Sequence, residues 1–322
     1  MSAVLLTAPA APAAGSSAVD QGPLGELLHE HHPGAGIAEG TAVPYPAYDA
    51  HVRALARRGR PVAAALAELV THAARRAADR LRPPHEACRR ADGHVCAAVP
   101  VALAHAPGAA TAAARALHDA VGRPNLMVRL AATGPGLEAI TACLGQGIGV
   151  HAVAVVSLER YAEVADAVLR GLEHAAGAGL DPAALAAAVS LNVAGLDEAA
   201  AHSTATGAAT AVPLGPAAAT AHLAQRIHQE IHQGARWRAL ARQGARPHRL
   251  LPDIPRPRDC RDAQAWQVLG ALPSHGICYR ELTATVEAAV LARSAAEQQR
   301  TRHRVAAALH TAAGREAAHR TP

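Results

Sequence analysis

The feature that most constrains this chain is an alternation of short apolar runs with longer amphipathic stretches. The runs are "HVCAAVPVAL" (residues 94–103), "NLMVRLAAT" (125–133), "IGVHAVAVV" (148–156) and "LAAAVSLNVAGLD" (185–197), with a weaker one, "HRLLPDIP", at 248–255. None shows the strict every-second-residue polarity of a strand with one wet face, so each is expected to be covered on both faces. Between them lie helical patterns at 108–122, 134–147, 157–179 and 221–234, with Ser157 placed to cap the third. Strand–helix alternation with doubly covered strands implies a parallel sheet or a β/α barrel.

The flanks are less regular. Residues 24–32 read as a short amphipathic helix ended by Pro33-Gly34. Two helices follow at 46–59 and 61–84, separated by Gly59, the second opening on Pro61. A helix is expected at 263–270 and a long one at 285–310. Residues 1–20 read as a disordered Ala/Pro-rich tail, 21–310 as a single domain with a low-complexity insertion near 199–219, and 311–322 as a second tail.

Composition narrows the function classes. The chain has 322 residues and 2% aromatics, with no Phe, so its core must be built from Ala, Val and Leu. Such residues each bury little area at about 25 cal/mol per Å², and a cavity-prone core is expected. The formal charge of +5 comes from arginines scattered among Asp and Glu, without aromatics for base stacking, which argues against nucleic-acid binding. No run of about 20 bulky apolar residues is present to span a membrane. The N-terminus lacks the basic region of a signal peptide. Five unclustered cysteines fit reduced thiols, so a cytoplasmic setting is expected. Self-association into a homo-oligomer is left open.

One strand poses a chemical question. In "RPNLMVRLAAT" (123–133) a single charge, Arg129, stands near the end of an apolar run, and the whole chain contains no lysine. This stretch resembles the lysine strand of transaldolases, whose motif reads Asn-Leu-Met, an apolar residue, Lys, an apolar residue, then Pro-Ala-Thr. "AYDAHVRALARRG", "GQGIGVHAVAVVSLERYAEVADAVLRGLE" and "GARWRALARQGARP" resemble the actinobacterial and cyanobacterial members as well. The similarity runs over about residues 24–290 and is strongest from Arg123 to Glu173. It implies a (β/α)8 TIM barrel of the class I aldolase type, with an incomplete or irregular first strand. It also implies the family role, transfer of a dihydroxyacetone unit between sugar phosphates in the pentose phosphate pathway.

The resemblance also identifies what is missing. Arg129 occupies the position of the Schiff-base lysine, and a Schiff base needs a neutral amine. Arginine stays protonated, with its charge spread over a planar fork, and cannot substitute. Ala98 falls where the family carries its catalytic glutamate. His151 replaces a pocket asparagine, Val153 a threonine, and Gly195 an arginine that helps hold substrate phosphate, although Ser190 is retained. The strand-end motifs at 36–44 and 252–259 have changed, and the aspartate-bearing first strand has no clear counterpart. So many losses imply a catalytically inactive scaffold. The alternative is an enzyme without Schiff-base chemistry, or a binder of sugar phosphates or other small anions, in the same pocket. Arg129, His151, Ser190 and Thr133 are its candidate substrate- or anion-binding residues, and their convergence on one open pocket would favour it.

Other signals are weaker. His228 and His232 in "HQEIHQ" share one helix face, as metal ligands can, but the motif is neither HExxH nor HxxEH. The resemblance implies that they occupy former phenylalanine sites of the core. The tract at His29, Glu30, His31 and His32 is metal-like in composition only. Gly134-Pro135-Gly136 resembles a phosphate-cradling turn, with one donor lost to proline. No cofactor and no metal are expected.

Overall fold

The computed structural model describes residues 28–29, 37–40, 49–203, 215–254 and 260–320. The chain-order elements are β1 (Leu28–His29), β2 (Ile37–Gly40), α1 (Asp49–Arg57), α2 (Val62–Ala87), β3 (His94–Ala98), α3 (Pro107–Val121), β4 (Leu126–Ala131), α4 (Gly136–Gly145), β5 (Gly149–Val155) and α5 (Leu158–Gly177). They continue as β6 (Ala187–Leu191), α6 (Leu196–Ser203), α7 (Pro216–Gln233), α8 (Ala235–Arg242), β7 (Arg249–Pro252), α9 (Asp262–Ala271) and α10 (Tyr279–Arg320). The strands pair in sequence order, and every pair from β2 to β7 is parallel. Sequential parallel strands with helical crossovers form the wall of a β/α barrel. At its edge the two-residue β1 pairs antiparallel with β2, so the start of the wall is irregular.

Several details differ from the sequence expectations. Leu28–His29 is extended, where a helix was expected, because it pairs with Glu39 and Gly40. Residues 199–203 finish α6 and 216–219 begin α7, so of the expected insertion only 204–214 lie outside the described residues. The 1–20 tail and His31 and His32 also lie outside them. Helix α10 starts six residues earlier than the pattern indicated and runs through to Arg320.

Two faces of the sheet have separate jobs. On the outer face Val95 packs against Ala77 and Ala78 of α2, while Val128, Leu130, Val150, Ala152, Val189 and Leu191 join α4 and α5 in the main core. Helix α5 answers with Leu158, Tyr161, Ala165, Val168, Leu172 and Ala175, a stripe at three- and four-residue spacing. Its Ser157 cap accepts a hydrogen bond from the Arg160 N–H at 3.0 Å. The inner face carries a thin layer of Cys96, Met127, Ala188 and Leu251. Asn125, fully buried before β4, donates to the carbonyls of Ala78 (3.0 Å) and Gly93 (2.9 Å) and so ties β4 to α2 and the approach to β3. Gly93 is required there: its φ is +74°, and a Cβ would stand 2.8 Å from the His85 nitrogen and the Leu81 oxygen.

Candidate functional site

Register builds the first site. Ala98 pairs with Arg129 across β3 and β4, and Arg129 pairs with His151 across β4 and β5. Side chains alternate along a strand, so these positions share the inner face with Cys96 and Met127. The neighbouring β6 brings Ser190 to the same face, two residues beyond Ala188, the partner of His151. The His151 ring is wholly buried. Its Nε2 is hydrogen-bonded to Ser190 Oγ at 2.7 Å and its Nδ1 lies 3.3 Å from Cys96 Sγ. The roles depend on the tautomer: the thiol donates to Nδ1 while Nε2–H donates to the hydroxyl, or Nδ1–H donates to the sulfur while the hydroxyl donates to Nε2. Cys96 was not singled out in the sequence. Its position two residues before Ala98 on the same strand was the available signal.

Thr133 lies beyond the end of β4 and apart from that group. Its hydroxyl donates to the Ala104 carbonyl and accepts the Gly136 N–H at 3.1 Å. The Gly134-Pro135-Gly136 turn therefore spends an amide on capping α4. Gly136 is needed because a Cβ there would collide with the Ala131 carbonyl.

Helix α10 passes the C-terminal ends of the strands. Gln298 Oε1 accepts the Val101 N–H at 2.9 Å, just after β3. After β6, a Cβ on Gly195 would stand 3.3 Å from a Val286 methyl carbon. Any long side chain at Gly195 would have to pass that valine. Before it, β5 carries a bulge where the register with β6 shifts between Ala152 and Val155. Ala154 takes a left-handed φ of +64°, and its N–H is accepted by Asn192 Oδ1 at 3.0 Å.

A cavity lies elsewhere, at the N-terminal ends of the strands. It has a volume of about 560 Å³, and its lining includes Asp92, His94, His228, Arg246, His248 and Arg249. Neither Arg129, His151 nor Ser190 lines it. Catalytic groups of β/α barrels sit at the opposite, C-terminal end.

Histidines dominate this end. His94 is buried against His85, with ring centres 4.8 Å apart, and burial brings its pKa down to about 3, aided by His85, Arg249 and Arg246. His228 and His232 on α7 meet His248, the residue before β7. Tyr161, from the buried stripe of α5, is hydrogen-bonded through its hydroxyl to His228 Nδ1 at 2.8 Å and to His248 Nε2 at 3.0 Å. Burial holds His248 and His232 below the ordinary imidazole range, and pushes the Tyr161 phenol well above its own. The two α7 histidines are half-buried and bonded, unlike phenylalanines in a dry core. His248 carried no sequence signal.

No helix among the described residues is long and apolar enough to cross a membrane. The family model described as Transaldolase/Fructose-6-phosphate aldolase matches residues 37–248. Among similar proteins, a transaldolase of Thermobifida fusca is 42% identical over 218 residues, 67% of this chain and 58% of its own. Transaldolase 1 of Streptomyces avermitilis is 38% identical over 241 residues, 72% of this chain and 64% of its own. A Parafrankia transaldolase is 39% identical over 207 residues, 63% and 56% of the two chains. The chain spans about three fifths of the length of these relatives. With the match covering about two thirds of its residues and the strand order of the barrel wall in place, the chain belongs to the transaldolase/fructose-6-phosphate aldolase family.

Proposed function

We propose that this chain is a transaldolase-like protein that has lost aldol-transfer chemistry and is catalytically silent as a Schiff-base enzyme. The observation that carries the reading is Arg129 at the strand position between Ala98 and His151, in a sequence without a single lysine. Carbinolamine formation needs a nitrogen lone pair, and a guanidinium has none to offer at neutral pH. The acid that would shuttle protons is an alanine. His151 and Ser190 are buried and engaged with each other, which supports a filled interior over an open reaction pocket. The alternative is a non-Schiff-base enzyme or a sugar-phosphate or anion binder in the same barrel. It draws on Arg129 lying beside His151 on the inner face. Reduced, dispersed cysteines are consistent with a cytoplasmic setting.

Two measurements test this. Borohydride treatment in the presence of fructose 6-phosphate should leave every side chain unmodified by mass spectrometry; an adduct on a side chain would overturn the reading. Arg129→Lys alone should not produce transfer to erythrose 4-phosphate, because Ala98 supplies no acid. Turnover from that single change would mean that the missing groups come from elsewhere in the chain. Calorimetric binding of fructose 6-phosphate that is abolished by Arg129→Ala would favour the anion-binding alternative.

A further inference from the structure

From the cluster at the N-terminal end of the barrel wall, we propose that His228, His232 and His248 form a binding site for a divalent late transition metal such as Zn²⁺. One ring nitrogen from each lies within 4.8 Å of the others. Helix periodicity stacks His228 and His232 on one face of α7, and the loop entering β7 supplies the third ring. The pair that lacked a recognisable motif in the sequence gains its missing ligand through tertiary structure.

The outer contacts already orient the rings. His232 Nδ1 lies 2.7 Å from the His228 carbonyl, which can only accept, so the proton is on Nδ1 and Nε2 holds a lone pair. That Nε2 is buried and has no hydrogen-bond partner, and neither has Nδ1 of the fully buried His248. The remaining nitrogens, His228 Nδ1 and His248 Nε2, both meet the Tyr161 hydroxyl oxygen. That hydroxyl can donate to one ring and accept from the other. Once metal binds and the phenol proton turns away, its two lone pairs can accept an N–H from each ring, which would leave one nitrogen of each for the metal. Holding the distal N–H of each ligand on an acceptor is how metal-binding histidines are fixed and made more basic. Tetrahedral coordination at roughly 2.0–2.1 Å per nitrogen needs the ring nitrogens about 3.3 Å apart. Small rotations of the half-buried α7 rings would close the gap. The adjoining cavity, which His228 and His248 line, offers an entry route and room for water as a fourth ligand. Three neutral imidazoles select zinc, cobalt, nickel or copper over calcium or magnesium, which prefer oxygen.

The test uses untagged full-length protein and Co²⁺ or Zn²⁺ salts, because 20 histidines make weak surface binding a competitor. One equivalent of Co²⁺ should give the visible absorption of a tetrahedral site, displaced by Zn²⁺, and Zn²⁺ should raise the melting temperature by several degrees. His232→Ala and His248→Ala should abolish both signals, whereas His202→Ala on α6 should leave them intact. If His248→Ala fails to fold, His232→Ala decides, since its Nε2 makes no bond that folding needs. Tyr161→Phe keeps the buried ring, removes the accepting oxygen and should weaken binding by roughly 10–100-fold. The proposal is overturned if folded wild-type protein shows no stoichiometric signal, or if His232→Ala retains it.

Discussion

Acid should destabilise this protein well before its carboxylates titrate, and His94 gives the effect a size. In the unfolded chain a histidine titrates near 6.5, whereas burial beside His85, Arg249 and Arg246 holds His94 at about 3 in the fold. The unfolded state therefore takes up the proton first. The contribution of His94 is complete above the unfolded pKa and is lost as pH falls from about 6.5 toward 3. At pH 5 the linkage relation puts the loss at about 2 kcal/mol, a large share of a typical stability of roughly 5–15 kcal/mol. His232 and His248, lowered by burial as well, act in the same direction. The assay is urea unfolding of wild type and His94→Asn at pH 7 and pH 5, in metal-free buffer. The variant carries some fixed cost at both pH values, which cancels when each protein is compared with itself. Its pH 7-to-5 loss should be smaller than that of wild type by about 2 kcal/mol. Equal losses in the two proteins would refute the reasoning, because His94 would then be accepting its proton within the fold, through the cavity it lines.

Two further outcomes follow from local geometry. Ala154→Gly should stabilise the protein by about 0.5–1 kcal/mol in chemical denaturation: a left-handed alanine costs roughly 1–2 kcal/mol, partly offset by the greater freedom of glycine in the unfolded chain. Loss of stability on that change would show that the alanine methyl packs more than it strains. Asn125→Ala should cost about 1–3 kcal/mol, since it removes two hydrogen bonds in a fully buried site, to the carbonyls of Ala78 and Gly93. A cost below about 1 kcal/mol by urea titration would mean that water replaces the amide.

The sequence alone determined the order of the wall and the residues on which the proposed loss of chemistry rests. Doubly apolar runs separated by amphipathic stretches leave few ways to bury strands, and that local pattern carried β3 to β6 and the helices between them. The proposed loss of Schiff-base capacity likewise rests on composition: the chain has no lysine and carries Arg129 in "NLMVRL". Tertiary structure decided what the remaining polar groups do. Parallel register joined His151 to Ser190, 39 residues apart, and to Cys96, 55 residues apart. Helix capping used the Thr133 hydroxyl that a ligand would otherwise meet. Docking of α7 against the entry to β7 brought His248 to His228 and His232, with Tyr161 from α5 between them. A lone histidine before a strand and a tyrosine in an apolar stripe give no local sign of such a meeting. Their proximity depends on how far each element travels before it packs, and that is set by the fold as a whole.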